Sequence, residues 1–290
     1  MIVKNAAEHE APAEPAWRLA LAQMRVDPGN VASNLTRAED RVRAARALGA
    51  DVVLLPEALD CGWTHPSARE LAGGIPGGAA GECLRAVARE QAVTVCAGLI
   101  ERAGDRLYNA AVLFGPDGTL LLHHRKIHEL DFARELYARG DRLGVAETPF
   151  GRLGVMICAD GFAPDQAISR ALGEMGAGVI LSPCAWAVPP DHDNVRTPYG
   201  QLWLDNYGPV ARHFGLTIAG CSCVGSVTAG EWAGWRCIGC SMVIGPEGIP
   251  LIRGPYGAEA EALLIVKVPY LPVPKAGTGV RTTARTGRPA

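Results

Sequence analysis

Three residues of complementary chemical types occur where the sequence predicts that β-strands end. Glu57 directly follows the apolar run DVVLLP, Lys126 ends TLLLHHRK, and Cys158 ends RLGVMIC. In α/β proteins reactive groups tend to lie just beyond the carboxyl ends of strands, where loops can aim them without disturbing the core. Each residue alone has an ordinary explanation as a solvated acid, a surface lysine or a core cysteine. As a set they supply a general base, a cation for a developing oxyanion and a nucleophile.

The surroundings of Cys158 predict a reactive thiol. The cysteine precedes the turn ADGFAP and a predicted helix, whose N–H groups and dipole favour a thiolate. A nearby cation such as Lys126 also lowers the pKa of a thiol. We therefore expect the pKa of Cys158 to lie below its ordinary value.

The elements that would position these residues alternate between strand-like and helix-like runs. Arg18–Val26 and Asp51–Pro56 read as strands on either side of a helix over Asn34–Leu48, which is a β-α-β unit. The second half repeats this pattern, with a strand over Phe150–Cys158 and helices over Pro164–Met175 and Val195–Phe214. Since no linker divides the chain, the pattern predicts one α/β domain with helices on the outer faces of its sheets.

Composition restricts the class of protein. The chain has 290 residues, 28 basic and 30 acidic side chains and 48% hydrophobic residues, which excludes a disordered protein. The near-zero net charge argues against a nucleic-acid partner, and no apolar run is long enough for a transmembrane helix. The N-terminal residues lack the pattern of a signal peptide. The nine cysteines favour reduced thiols in the cytoplasm.

We divide the chain into an N-terminal extension over residues 1–16, a domain over residues 17–270 and a basic tail over residues 271–290. The tail carries basic residues and no acid, and we expect it to be solvated and mobile.

Three segments, in this order, resemble the signature segments of the nitrilase superfamily of carbon–nitrogen hydrolases. They are LLPEALDCGW, HHRKIHE and GVMICADGF, with supporting matches in YNAAVLFGPDG, ARGD, SPCAW and GCSMVIGPEG. The resemblance extends over nearly the whole chain. It implies a four-layer αββα sandwich of two mixed sheets with helices on the outer faces. It also implies a Glu–Lys–Cys triad and no metal or organic cofactor.

The resemblance assigns roles to individual residues. It implies that Cys158 is the nucleophile, that Glu57 is the general base and acid, and that Lys126 and the N–H of Ala159 stabilise the oxyanion. Many members have a second glutamate shortly after the lysine. Glu135 fits that place best, although Glu129 is nearby.

The implied activity is hydrolysis of a small amide or N-carbamoyl compound through a thioester on the cysteine, in a homodimer or higher homo-oligomer. In true nitrilases the segment at the nucleophile is typically Cys-Trp-Glu, whereas this chain has Cys158-Ala159-Asp160. The difference favours the amidase-like branch. Nitrile hydrolysis and acyl transfer on the same triad stay open as alternatives. So does a catalytically idle zinc-binding or scaffold member of the same fold.

Further residues are candidates for contact with substrate. Trp63 and Trp186 each follow a predicted strand end near a matched segment, and either could line a pocket for an apolar or planar substrate, although packing is the commoner role of a tryptophan. His128, the second residue after Lys126, is a candidate pocket-lining residue.

The strongest competing signal is a possible structural zinc site. Four cysteines form a C-x-C and a C-x₂-C pair, Cys221, Cys223, Cys237 and Cys240. Such pairs can hold zinc. Because the first pair lies in an apolar run without glycine-turned knuckles, we favour packed thiols and predict no metal.

Overall fold

The computed structural model describes residues 2–5 and 16–270. The predicted basic tail and the rest of the predicted N-terminal extension lie outside the described residues. Within the described part, sixteen β-strands and five α-helices form. The helices are α1 (Val31–Ala47), α2 (Ala68–Leu71), α3 (Ala79–Gln91), α4 (Ala167–Glu174) and α5 (Gly200–Phe214). The strands are β1 (Ile2–Asn5), β2 (Ala16–Gln23), β3 (Val52–Leu54), β4 (Thr94–Ala103), β5 (Arg106–Phe114), β6 (Leu120–Arg125), β7 (Val145–Thr148), β8 (Gly151–Val155), β9 (Val179–Cys184), β10 (Ala187–Val188), β11 (Thr217–Ser222), β12 (Val224–Ser226), β13 (Arg236–Ile238), β14 (Met242–Ile244), β15 (Pro250–Arg253) and β16 (Ala262–Pro269).

Two large mixed sheets form the centre of the molecule. The first has the strand order β1-β16-β2-β3-β4-β5-β6, and the second has the order β15-β14-β11-β9-β8-β7. In the first sheet β2, β3 and β4 are parallel, and in the second β8, β9 and β11 are parallel. Parallel neighbours need crossover connections, which α1, α3, α4 and α5 provide.

The two sheets pack face to face through alternate side chains of their strands. Leu21 of β2 and Leu54 of β3 belong to the same buried cluster as Val155 of β8 and Leu181 of β9. Because successive strand residues point to opposite faces, their neighbours face outward, away from the other sheet. The inner faces therefore form a dry core between the two sheets.

Helices cover the outward faces of both sheets. Val42 of α1 and Leu84 of α3 pack with Val53 and Val95 of the first sheet. On the other side, α4 and α5 pack on the second sheet, where Val210 of α5 shares a cluster with the strand residues of β9 and β11. The order of layers is helix, sheet, sheet, helix, which confirms the predicted αββα sandwich.

Three local features differ from the sequence interpretation. The helix predicted from Val195 begins at Gly200, and the preceding turn is held by the Asn194 side chain, which accepts the N–H of Tyr199. Ile2–Asn5, part of the predicted extension, pairs as a parallel edge strand with β16. A small third sheet of order β10-β13-β12 was not predicted.

Candidate active site

Glu57 lies just beyond β3, in a segment that passes very close to β4. The backbone N–H of Glu57 donates to the carbonyl of Cys184 at 3.2 Å, which ties it to the end of β9. Gly98 of β4 permits the close passage, since a Cβ there would lie 2.5 Å from the Cα of Glu57. The side chain of Glu57 is 1% exposed. Chain geometry therefore buries this carboxylate at the junction of the two sheets.

Lys126 follows β6 on the same sheet and its side chain meets that of Glu57. Its backbone N–H donates to the carbonyl of Asn109 at 2.8 Å, so the neighbouring strand β5 fixes the position of the Lys126 backbone. The ammonium donates to Oε1 of Glu57 at 2.7 Å. The side-chain amide of Asn109 donates to the same oxygen at 2.6 Å. These two donors hold Oε1 of Glu57 in place and leave Oε2 for another partner.

Cys158 lies at the end of the second sheet and begins a short 3-10 helix over Cys158–Phe162. Its φ is +43°, a conformation that is uncommon for a residue with a side chain and is often found at functional sites. The N–H of Cys158 donates to the hydroxyl of Ser182 at 3.2 Å. Because β9 contacts both Cys158 and Glu57, it holds the thiol and the carboxylate in one site.

A second glutamate lies beside Lys126, and it is Glu129. Its carboxylate is 3.5 Å from the ammonium and is 3% exposed. Glu135, which the sequence comparison favoured for this place, is exposed on the surface in the 3-10 helix Asp131–Glu135. The structure thus corrects the expected position. A turn after Lys126 brings Glu129 back to the lysine, whereas the following helix carries Glu135 away.

Two carboxylates flank one ammonium, and burial acts on the pKa values of Lys126 and Glu129. Burial alone would lower the pKa of Lys126, but Glu129 and Glu57 outweigh it and hold that pKa well above its ordinary value. Lys126 therefore stays charged. Burial raises the pKa of Glu129 to about 7 despite the attraction of Lys126. Near neutral pH Glu129 therefore gains or loses a proton, whereas Lys126 keeps its charge.

The pKa of Cys158 shifts in the direction opposite to the sequence expectation. Burial, a contact with the Cys184 thiol and the Glu57 carboxylate all raise it, and together they outweigh the lowering effect of Lys126. The expectation considered only the cation and the helix entry. The resting thiol is therefore neutral, and it needs a base in order to act as a nucleophile.

Asp160 connects the lysine loop with the cysteine loop. Its Oδ1 accepts the N–H groups of Ile127 and His128 at 3.0 and 2.8 Å. Its Oδ2 accepts the N–H of Ile157 at 2.9 Å and contacts Nε2 of His124 at 2.8 Å. Burial would raise the pKa of Asp160, but these hydrogen bonds outweigh it and hold the pKa below its ordinary value. The carboxylate fixes Lys126 relative to Cys158.

The candidate substrate-binding residues take different positions. The ring of Trp63 lies beside the site, with its centroid 5.9 Å from the Lys126 ammonium. The ring of Trp186 is stacked on Trp203 at 4.4 Å and is enclosed in the core under α5, so the predicted substrate contact of Trp186 has no support in its surroundings. A tryptophan after a strand end can point into a pocket or into the core, and the side chain of Trp186 packs in the core.

Ala159 and His128 both lie next to the site through the backbone. Ala159 follows Cys158 and is buried, so its N–H belongs to the same turn as the thiol. His128 is half-buried with its ring near Phe162, and burial lowers its pKa. His128 is therefore a neutral ring near the edge of the site. The roles of both residues stay predictions.

Several buried polar atoms without a hydrogen-bond partner belong to the residues around Lys126. Among the described residues they include Oε2 of Glu57, both carboxylate oxygens of Glu129 and Oδ1 of Asn109. Most buried polar groups in proteins are paired. A site with several unpaired acceptors around one cation is suited to a ligand that brings N–H donors. Of these residues, the sequence interpretation did not assign a role to Asn109, although the segment YNAAVLF contains it.

The four cysteines that suggested zinc do not come together as a ligand set. Cys221 belongs to the core between the sheets, whereas Cys240 is at the edge of the cluster under α5. Cys223 and Cys237 share a side-chain hydrogen bond. In the described part of the chain, no group of three or more histidine, cysteine or acidic side chains could hold a metal ion.

No helix in the described ranges combines the length and the apolar character needed to cross a lipid bilayer.

The fold and the site together define a class of protein: an αββα sandwich with a buried acid, a buried cation and a strained cysteine at one edge. Residues 18–270 match the carbon–nitrogen hydrolase family, and the chain belongs to that family. This confirms the resemblance to the carbon–nitrogen hydrolases of the nitrilase superfamily.

Individual relatives agree with this membership. A nitrilase of Pyrococcus abyssi is 36% identical over 203 residues, which are 68% of this chain and 76% of that protein. An omega-amidase of Xenopus tropicalis is 38% identical over 154 residues, which are 50% of this chain and only 55% of that protein.

Among solved structures, an amidase from Nesterenkonia sp. has a TM-score of 0.75 at 23% identity, covering 91% of this chain and 94% of that one. This likeness shows the fold. One structure of that amidase contains acrylamide added at its active-site cysteine.

Proposed function

We propose that the protein hydrolyses the C–N bond of a small primary amide through a thioester on Cys158. The observation that carries the proposal is the set of unpaired acceptors around Lys126. A carboxamide NH₂ group can donate to Oε2 of Glu57 and to Glu129, whereas a nitrile has no N–H to offer. An N-carbamoyl group carries the same NH₂ and belongs to the same substrate class.

The first step needs Glu57 as a general base. Because the pKa of the Cys158 thiol is raised, its proton must be removed as the sulfur attacks the carbonyl carbon. Oε1 of Glu57 is already occupied by Lys126 and Asn109. Oε2 is the oxygen that takes the thiol proton.

The tetrahedral intermediate places a negative charge on the former carbonyl oxygen. Lys126, whose pKa is held above its ordinary value, and the N–H of Ala159 stabilise that oxyanion. One good donor of this kind lowers the activation barrier by about 3–4 kcal/mol. Asn109 and Glu129 keep the ammonium and the carboxylate in position.

Collapse of the intermediate breaks the C–N bond. Glu57 gives the proton to the leaving nitrogen, ammonia departs, and the acyl group remains on the sulfur of Cys158 as a thioester. Glu57, again a carboxylate, takes a proton from water, which attacks the thioester carbon. As the C–S bond breaks, Glu57 returns that proton to the sulfur, so the products are a carboxylic acid and the free thiol, and Glu57 is again a carboxylate.

The proposal is tested by measuring ammonia release from matched amides, N-carbamoyl compounds and nitriles. We expect turnover of amides, none with Cys158→Ala, and an acyl adduct on Cys158 in the intact-protein mass spectrum. Circular dichroism and urea unfolding of Cys158→Ala check that the variant is folded. A fully active Cys158→Ala protein would refute the mechanism. Binding without turnover by the unmodified protein would favour the idle scaffold instead.

Assembly and location are further proposals. All nine cysteines of the chain lie in the described part, and each is free. A nucleophilic thiol works only when it is reduced. We therefore propose that the protein acts in the cytoplasm. A homodimer or higher homo-oligomer, which the family resemblance implied, stays a prediction.

A further inference from the structure

Three aromatic side chains in mutual contact lie beside Lys126. The ring centroids of Trp63 and Trp232 are 4.9 Å apart, those of Trp63 and Phe132 are 5.6 Å apart, and those of Phe132 and Trp232 are 5.3 Å apart. Trp235 stacks on the far side of Trp232 at 4.1 Å. We name Trp63, Phe132 and Trp232 the aromatic wall.

The wall is assembled from three separate segments, two of which also carry site residues. Trp63 belongs to the segment that follows Glu57, and Phe132 lies in the 3-10 helix that follows Lys126. Trp232 lies in the loop between β12 and β13. That loop is closed by backbone hydrogen bonds of 2.9 Å between Val227 and Gly234 and between Val227 and Trp235. The positions of the rings are therefore fixed relative to the site.

The wall extends from the site to the surface. Its inner member, Trp63, is buried and lies 5.9 Å from the Lys126 ammonium, measured to the ring centroid. Its outer members, Phe132 and Trp232, are half-buried. A pocket of about 300 Å³ lies against Phe132, and Thr64, Leu136 and Gly230 are among the other residues that line it. The wall therefore offers a flat apolar surface that begins beside the Lys126 ammonium.

The charges around the wall do not favour an anionic substrate. Among the described residues, Lys126 is the only lysine or arginine that is buried, and two glutamates already flank it. The charged residues that line the outer pocket are Arg69, Glu135 and Glu231, which is one cation against two acids. A substrate carboxylate would find no unopposed cation to hold it.

We propose that the aromatic wall binds the acyl group of the substrate and selects neutral amides with a flat apolar group, of the arylacetamide type, over monoamides of dicarboxylic acids. This inference rests on the proposed function. Aromatic surfaces bind such groups by burying large areas, with a preference for tilted or offset ring contacts. A carboxylate in the same position would lose its hydration without gaining a paired cation.

Three amides test the selectivity of the unmodified protein: phenylacetamide, acetamide and glutaramate. We expect kcat/KM for phenylacetamide to exceed that for glutaramate at least tenfold, the range that apolar pockets provide. In Trp232→Ala the ratio of kcat/KM for phenylacetamide to that for acetamide should fall at least tenfold, and Trp232→Phe should recover most of it. Leu251→Ala, an exposed position on the edge strand β15, is the control and should leave the ratio unchanged.

The ratio distinguishes substrate binding from a purely structural role. An equal loss for phenylacetamide and acetamide in Trp232→Ala, or a preference of the unmodified protein for glutaramate, would overturn the inference. If no amide is turned over, the proposed function fails. The inference about the wall is then tested by measuring, through tryptophan fluorescence, how tightly phenylacetamide and glutaramate bind to the Cys158→Ala protein. There, binding of phenylacetamide at least tenfold tighter than glutaramate supports the wall, and equal or weaker binding overturns it.

Discussion

The two glutamates after Lys126 provide a matched pair of substitutions, Glu129→Gln and Glu135→Gln. Both replace a carboxylate by an amide of the same shape on the same short segment. Glu129 is buried 3.5 Å from the ammonium, whereas Glu135 is exposed. We expect Glu129→Gln to lower kcat about tenfold to a hundredfold, because small displacements of catalytic groups have effects of this size. Glu135→Gln should leave kcat for acetamide, which is too small to reach the outer pocket, unchanged.

The pKa of Glu129 predicts a second effect, on stability. Burial raises the pKa of Glu129 from its ordinary value of 4.5 to about 7 in the folded protein. Between these values the unfolded chain has lost the proton while the folded chain keeps it, so stability falls as the pH rises. At about 1.4 kcal/mol per pKa unit, the full effect above pH 7 is about 3 kcal/mol. Below pH 4.5 the carboxyl is neutral in both states and the effect vanishes.

Glutamine cannot lose a proton, so Glu129→Gln should lack this loss of stability. We expect the variant to equal the unmodified protein near pH 4.5 and to be more stable by about 3 kcal/mol near pH 8.5. Urea unfolding at a series of pH values measures the difference, and titrating groups remote from Glu129 cancel in the comparison. Parallel pH profiles of the unmodified protein and Glu129→Gln would refute the reasoning.

Two further substitutions examine how the site is held. Asp160→Asn cannot accept all four hydrogen bonds of the buried carboxylate, so urea unfolding should show a loss of about 3–6 kcal/mol; unchanged stability would contradict the bridging role. In Gly98→Ala the new Cβ would lie 2.5 Å from the Cα of Glu57, and displacement of that carboxylate should lower kcat for amide hydrolysis about a hundredfold. Gly81→Ala, whose Cβ would have nothing within 4 Å, is the control, and equal activity of the two variants would refute the steric argument.

The layered fold could be predicted because its signals are local and periodic. The buried strand before Glu57 and the helix over α1 each have a clear apolar pattern, and parallel strands require the crossover that α1 provides. The small sheet could not be predicted in the same way. Its strands β10, β12 and β13 have two or three residues each, which is too short for a period of two to stand out from loop sequence.

The second glutamate shows why spacing alone could not complete the site. Glu129 and Glu135 both follow Lys126 closely, and either could return to the lysine if the intervening backbone turned suitably. The deciding factor is the 3-10 helix Asp131–Glu135, which faces Ala133 into the core and Glu135 outward. That choice depends on tertiary packing against Trp63 and its neighbours, which no local pattern encodes.

Asp160 is one of the positions at which the sequence departs from the Cys-Trp-Glu pattern of true nitrilases, and its contacts show what the side chain does. A carboxylate two residues after Cys158 could act on the substrate or on the protein, and its position in the motif alone does not distinguish the two. Both of its oxygens are occupied by backbone N–H groups and by His124, so it has no lone pair left for chemistry. It holds the Lys126 loop against the Cys158 turn. The distance between Lys126 and Cys158 is thus set by a buried carboxylate whose oxygens are already occupied.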